Sequence, residues 1–133
     1  MNCTTSIIDT INYKLNNSKE VDELYTSIVS ESLAVLRKAY PILQTSELAK
    51  KLLNTEKQIG FVKHVGFSIN GKNSTSMRQD VLNLRDTEID YINGHIIKKA
   101  FEEGMSAPVS ETICNLVKIK LLVNRRTAEE EKK

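Results

Sequence analysis

Apolar residues recur along this chain mostly at three- and four-residue intervals, the period of one helix face. Ile7, Ile11 and Leu15 repeat every fourth residue and predict a first helix within residues 2–15, after a polar, Thr-rich opening. Asn16-Asn17-Ser18 interrupts it, and Asn17 with Glu20 reads as a capping box for the next helix. That helix carries Val21, Leu24, Tyr25, Ile28, Val35, Leu36 and Ala39 on one face, with Pro41 just past its end. A turn at Gln44-Thr45-Ser46 leads into a third helix, whose expected buried stripe is Leu48, Leu52, Ile59, Val62, Val65 and Ile69. Gly60 and Gly66 weaken that helix and mark where it would kink or break, and Asn70-Gly71 stops it. Ser74-Thr75-Ser76 offers hydroxyl caps to a short helix through Met77, Val81 and Leu84. Thr87, with Asp90 three residues on, caps a helix through Ile89, Ile92, Ile96 and Ala100 that ends at Gly104. The loop Met105-Ser106-Ala107-Pro108 leads to a last helix, starting at Ser110, that turns Ile113, Leu116, Val117 and Leu121 inward. The charged stretch 124–133 is expected to fray. No alternation of apolar and polar residues lasts long enough for a strand. The expected fold is all-α, a compact bundle of about six helices.

Composition narrows the function classes. A chain of 133 residues is one domain's worth and can bury roughly two thirds of its unfolded surface without disulfides or metal. A net charge of +2 gives no argument for nucleic acid or an anionic membrane as partner. No apolar run approaches a membrane span, and no signal-peptide pattern opens the chain. Cys3 and Cys114 fit no disulfide or zinc framework and read as buried small residues in a reduced, cytoplasmic setting. His64 and His95 are not spaced as a metal-binding pair, so no metal site is expected. Gly94, inside a predicted helix, leaves two readings open: close approach of another helix, or of a cofactor.

The most informative stretch is Ser74-Thr75-Ser76-Met77-Arg78-Gln79-Asp80 followed by Asp86-Thr87-Glu88-Ile89-Asp90-Tyr91-Ile92-Asn93-Gly94. Read from composition, it is a capped helix, a turn and a second capped helix. As a pair of motifs it resembles the signature of the ketopantoate reductase (2-dehydropantoate 2-reductase) C-terminal domain, Ser-Ser-Met-x-Gln-Asp and then Thr-Glu-Ile-Asp-Tyr-Ile-Asn-Gly. The turn from Gly104 to Pro108 and the opening Met1-Asn2-Cys3 are also similar to that family. The resemblance runs from Asn2 to about Val123. It implies a domain over 1–123 with a charged tail over 124–133, and a fold like the C-terminal domains of ketopantoate reductases and 6-phosphogluconate dehydrogenase-like proteins.

What the resemblance implies for function can be placed residue by residue. The family reduces 2-dehydropantoate to pantoate with NADPH, on the way to pantothenate and coenzyme A. Asn2 and Asn16 match asparagines that contact substrate, and Ser76 matches a serine that binds the substrate carboxylate or nearby oxygens. Ser6 stands where the family usually has a further substrate-contacting asparagine, so an amide is reduced to a hydroxyl. Asn17 stands where the family often has glycine, which bears on the match at Asn16. Glu88 matches a glutamate that meets cofactor and substrate hydroxyls in the closed cleft. Amides and a hydroxyl can donate to the oxygens of a 2-oxo acid, and a carboxylate can accept from hydroxyls. A glutamate in a first helical turn also suits the helix dipole, and that reading of Glu88 stays open.

Two features are missing from the family's pattern. Its proton-donating lysine lies four residues before the asparagine matched by Asn2, where this sequence has only Met1. There is also no G-x-G-x-x-G loop to receive a pyrophosphate. We therefore expect a truncated chain that is the substrate-binding half of the enzyme, with no NADP site of its own and no activity alone. Its expected partners are a small 2-oxo acid, a Rossmann domain in cis or in trans, and a second copy of itself. The rival expectation is a stand-alone helical interaction or dimerisation domain that has kept the fold and lost the chemistry.

Overall fold

Eight α-helices, with no strand among them, make up the computed structural model, which describes residues 1–133. The first, α1 (Asn2–Ile8), is shorter than the apolar spacing predicts. It ends at Asp9, which takes the left-handed conformation (φ 56°), and a 3-10 turn over Asn12–Leu15 follows. Aspartate tolerates that conformation better than most residues. Tertiary bonds then hold the chain off the helical path: the Tyr13 N–H donates to the Gly71 carbonyl at 2.9 Å, and Asn12 Nδ2 donates to the Asn70 carbonyl at 3.0 Å. Glycine is required at position 71, because a Cβ there would run into the Phe67 carbonyl.

The long helix α2 (Lys19–Ala39) is capped by Ser18, not Asn17. The Ser18 Oγ accepts from the Val21 N–H at 3.3 Å and donates to the Glu20 carboxylate at 2.7 Å, while Asn17 sits outside the helix at φ 60°. The predicted third helix is broken into α3 (Ile42–Thr45), α4 (Glu47–Leu52), α5 (Thr55–Lys63) and a π-helical turn over His64–Ile69. Two polar caps cause the breaks: Ser46 accepts from the Ala49 N–H, and Asn54 from the Lys57 N–H. Each break resets the helical phase, so the expected stripe does not stay buried, and Leu48, Leu52 and Ile69 are exposed. These breaks are why eight helices stand where about six were expected.

The remaining helices are α6 (Ser76–Leu82), α7 (Ile89–Glu102) and α8 (Pro108–Glu130). Thr75 caps α6, accepting from the Arg78 N–H at 3.2 Å. The Thr87 hydroxyl reaches the Ile89 N–H only at 3.5 Å, and Asp90 completes no capping box; it pairs with Lys118 at 2.7 Å. Gly104, at φ 66°, ends the turn after α7. Helix α8 starts at Pro108 and continues through the charged stretch to Glu130 instead of fraying after residue 123. Its distal half is anchored: Arg125 donates to the Leu84 carbonyl at 2.9 and 3.1 Å, and Asn124 to that of Val81 at 3.3 Å. The atoms nearest a Cβ built on Gly94 belong to its own helix, Asp90 and Ile89, at ordinary contact distance.

One apolar cluster joins α1, α6, α7 and α8 through Cys3, Met77, Val81, Ile89, Ile113 and Val117. Another joins Leu15, Val21, Tyr25 and Phe67, with the Tyr25 and Phe67 rings stacked at 6.4 Å. Tyr25 is 2% exposed, and burial pushes its phenol up to about 12. The raised value belongs to the folded state, so its stabilising contribution is complete below pH ~10 and is lost as pH rises from there through about 12. Tyr25 is expected to ionise above the ordinary tyrosine range in an ultraviolet titration, with unfolding accompanying its ionisation. Tyr25→Phe should remove that alkaline transition, and ionisation of Tyr25 near the ordinary value of 10 would contradict the packing.

A cleft at the start of the first helix

Cys3, Thr4, Thr5 and Ser6 are four consecutive buried residues, so this turn of α1 is enclosed on every side. Small side chains allow this, and their hydroxyls are largely served within the fold. Thr5 Oγ1 lies 2.8 Å from Thr75 Oγ1 and donates to the Asn2 carbonyl at 3.0 Å; Ser6 donates to the same carbonyl at 2.7 Å. The Thr5–Thr75 contact ties the start of α1 to the cap of α6.

Beside this junction lies a cleft of about 220 Å³ between α1, α2, α6 and α7. Ile28, Met77, Ile92 and Ile96 give it apolar walls, and Asn2, Ser32 and Asn93 supply polar groups. A larger groove, about 430 Å³, runs between α1, α2 and α8, but its polar lining is limited to the hydroxyls of Thr4, Ser27 and Thr112. The smaller cleft brings two side-chain amides to an apolar wall, the pattern of a site for a small polar ligand.

The matched site residues do not all gather there. Asn2 lines the cleft. Ser76 is exposed in the first turn of α6, next to Met77, which forms part of the wall. Glu88 is exposed at the start of α7, one turn before Ile92. Ser6 is 1% exposed, its hydroxyl bonds its own helix, and it does not line the cleft. Asn16 is exposed in the turn before α2, where its Oδ1 accepts from the Asn17 N–H at 3.0 Å, also away from the cleft. Asn93 and Ser32 were not singled out from sequence. The signal was present, since Asn93 follows Ile89 and Ser32 follows Ile28 at helical spacing, placing a polar residue on an apolar face.

These residues contain no strand and no glycine-rich strand-to-helix turn. His64 and His95 are both exposed. Burial pushes the Cys114 thiol above its ordinary range, which opposes thiolate chemistry there. No helix is long and apolar enough to cross a membrane.

Comparison with known proteins agrees with this architecture. A probable 2-dehydropantoate 2-reductase of Schizosaccharomyces pombe is 40% identical over 94% of this chain, and the 2-dehydropantoate 2-reductase of Saccharomyces cerevisiae is 36% identical over 94%. In each case the chain spans only 36% of the relative's length. Among solved structures, D-mandelate dehydrogenase in a ternary complex with NADH and anilino(oxo)acetate matches with a TM-score of 0.77 and 27% identity, over 94% of this chain and 48% of that one. The family model described as ketopantoate reductase PanE/ApbA C terminal matches residues 1–121, and the chain belongs to that family.

Proposed function

We propose that this chain supplies the substrate-side wall of an NADP-dependent reductase acting on a small 2-oxo acid, 2-dehydropantoate. The observation that carries this reading is Asn2, at the mouth of α1, opening onto an apolar-walled cleft in a domain of this family. The substrate offers a carboxylate, a ketone, a hydroxyl and a branched aliphatic carbon. Ile28, Ile92, Ile96 and Met77 suit the branched carbon, and the Asn2 amide donates to an oxygen. Ser76 is assigned a second donor role, from the first turn of α6. Glu88, at the exposed start of α7, is assigned to accept from hydroxyls of substrate or cofactor. The proposal gives Asn16 and Ser6 a weaker part, because both lie off the cleft: Ser6 positions Asn2 through its carbonyl. Holding the nicotinamide nucleotide falls to a Rossmann domain outside these residues, joined in cis or in trans. The free, buried Cys3 and Cys114 are consistent with a reducing compartment such as the cytoplasm.

The test is a fusion. A nucleotide-binding domain from the fission-yeast relative, with a lysine four residues before Asn2, is placed ahead of this chain. The fusion should oxidise NADPH when ketopantoate is added, while the 133-residue chain alone should not. Ser76→Ala in the fusion should raise KM about 5- to 150-fold, the equivalent of about 1–3 kcal/mol for a lost bond to a charged oxygen. A folded, nucleotide-binding fusion with no ketopantoate-dependent turnover would sink the proposal.

A second reading is favoured by one observation. Tyr91 and Phe101 on α7 are 86% and 85% exposed, an apolar display that suits burial against another protein. In that reading the chain is a helical dimerisation domain. Sedimentation separates the two: a dimer that persists unchanged in an inactive fusion favours the second, and a monomeric, active fusion the first.

A further inference from the structure

We propose that the side-chain amide of Asn93 is a second substrate-contacting donor in the cleft, and that Cys3 orients it. The inference rests on the substrate-wall reading and adds to it a residue and a device for aiming that residue.

Asn93 is 5% exposed, on the inward face of α7 with Ile89 and Ala100. An asparagine amide can make two donated and two accepted hydrogen bonds. Here its one protein partner is the Cys3 thiol, which donates to Oδ1 at 3.9 Å. The Nδ2 group has no protein acceptor. The sealed side-chain atoms left without partners are those of Thr4, Asn12, Tyr25 and Ser110; the Asn93 amide is not among them, and it opens onto the cleft that Asn93 lines. A donor open to the cleft is free to bond a ligand oxygen in place of solvent.

The Cys3 contact sets which end of the amide faces the ligand. With Oδ1 turned to the thiol, the NH₂ end is presented to the cleft, where it needs an acceptor and bonds most strongly to a charged carboxylate oxygen. Cys3 is also the neighbour of Asn2 on α1, so one short helix places the first amide and aims the second. The wall thereby favours a ligand with two acceptor oxygens beside a compact apolar body, which describes a branched 2-oxo acid.

The test uses the ¹⁵N-labelled 133-residue chain. Its Asn93 NH₂ resonance pair is assigned by its loss in Asn93→Asp. 2-Dehydropantoate is titrated in, with 2,2-dimethyl-1,3-propanediol as a control that has the branched carbon and hydroxyls but no oxo-acid oxygens. The NH₂ pair should shift saturably with the oxo acid and far less at equal concentration of the diol, whose neutral hydroxyl oxygens are weaker acceptors. Asn93→Asp and the neutral Asn93→Ser should each weaken the apparent Kd by about tenfold or more, as expected for a bond to a charged oxygen. Cys3→Ala should weaken binding less, and Cys3→Ser should restore it. Shifts at the Asn2 and Ser76 backbone amides with a motionless Asn93 pair, and parental affinity in Asn93→Ser, would overturn this inference and leave the substrate wall standing. No movement of any resonance at saturating oxo acid would overturn both.

Discussion

Met77→Ala is expected to lower the unfolding free energy by about 2–5 kcal/mol, out of a total of about 5–15 kcal/mol for a domain of this kind. Met77 is fully buried, in the cluster where α1, α6, α7 and α8 meet, and it also forms part of the cleft wall. Truncation removes the transfer free energy of its side chain and leaves a void among Cys3, Val81, Ile113 and Val117. These neighbours come from different helices, so no single shift can close the gap. Urea denaturation should show a lower midpoint with an unchanged slope, because the same surface is exposed on unfolding. Leu82→Ala, at a 43% exposed position on the same helix, should cost under about 0.5 kcal/mol. Ligand affinity should fall as well, since the void enlarges the cleft next to Ser76. A loss below about 1 kcal/mol would mean that the site collapses or was loosely packed.

Glu31→Ala is expected to cost about 2–4 kcal/mol, an unusual amount for a half-buried glutamate. Its two carboxylate oxygens accept from the Val109 and Ser110 N–H groups, each at 2.8 Å. These are among the orphan donors at the start of the 23-residue helix α8, and Pro108 ahead of them has no N–H to offer. The carboxylate therefore meets two charge-assisted bonds and the positive end of a long helix dipole, and it ties α2 to α8. Glu31→Gln keeps one good acceptor and should cost about half as much. Glu23→Ala removes only an exposed pair with Lys19 at 3.4 Å and should cost under about 1 kcal/mol. Thermal melts of the three variants compare them directly. Equal losses for Glu31→Ala and Glu23→Ala would show that the cap contributes nothing beyond surface charge.

The amino-acid order alone determined the helical class, and with it α2, α6, α7 and the inward face of α8. In these segments the apolar spacing is unbroken and Ile89, Ala100, Ile113, Val117 and Leu121 face inward as the period demands, whereas Leu116, expected on the same face, falls at the edge of that stripe and is 40% exposed. It also determined the family, through the residues Ser76 to Asp80 and Thr87 to Gly94, whose identities and separation carry more information than periodicity does. Tertiary structure decided the rest. Ile7, Ile11 and Leu15 have helical spacing, yet bonds from Asn12 and Tyr13 to the distant Asn70 and Gly71 outcompete one more turn of helix. Between Pro41 and Asn70 local caps at Ser46 and Asn54 won over a continuous stripe, because that segment has little core to bury against. The continuation of α8 past Val123 depends on the Leu84 and Val81 carbonyls being within reach of Arg125 and Asn124, which no local pattern announces. The membership of the cleft was likewise invisible in one dimension. Matching motifs could nominate Asn2, Ser6, Asn16 and Ser76 together, but only packing separates the amide that opens onto the cleft from the hydroxyl turned back into its own helix. Only packing, too, brings Asn93 beside Cys3 across ninety residues of chain, because side-chain direction is set by which helices meet and at what height.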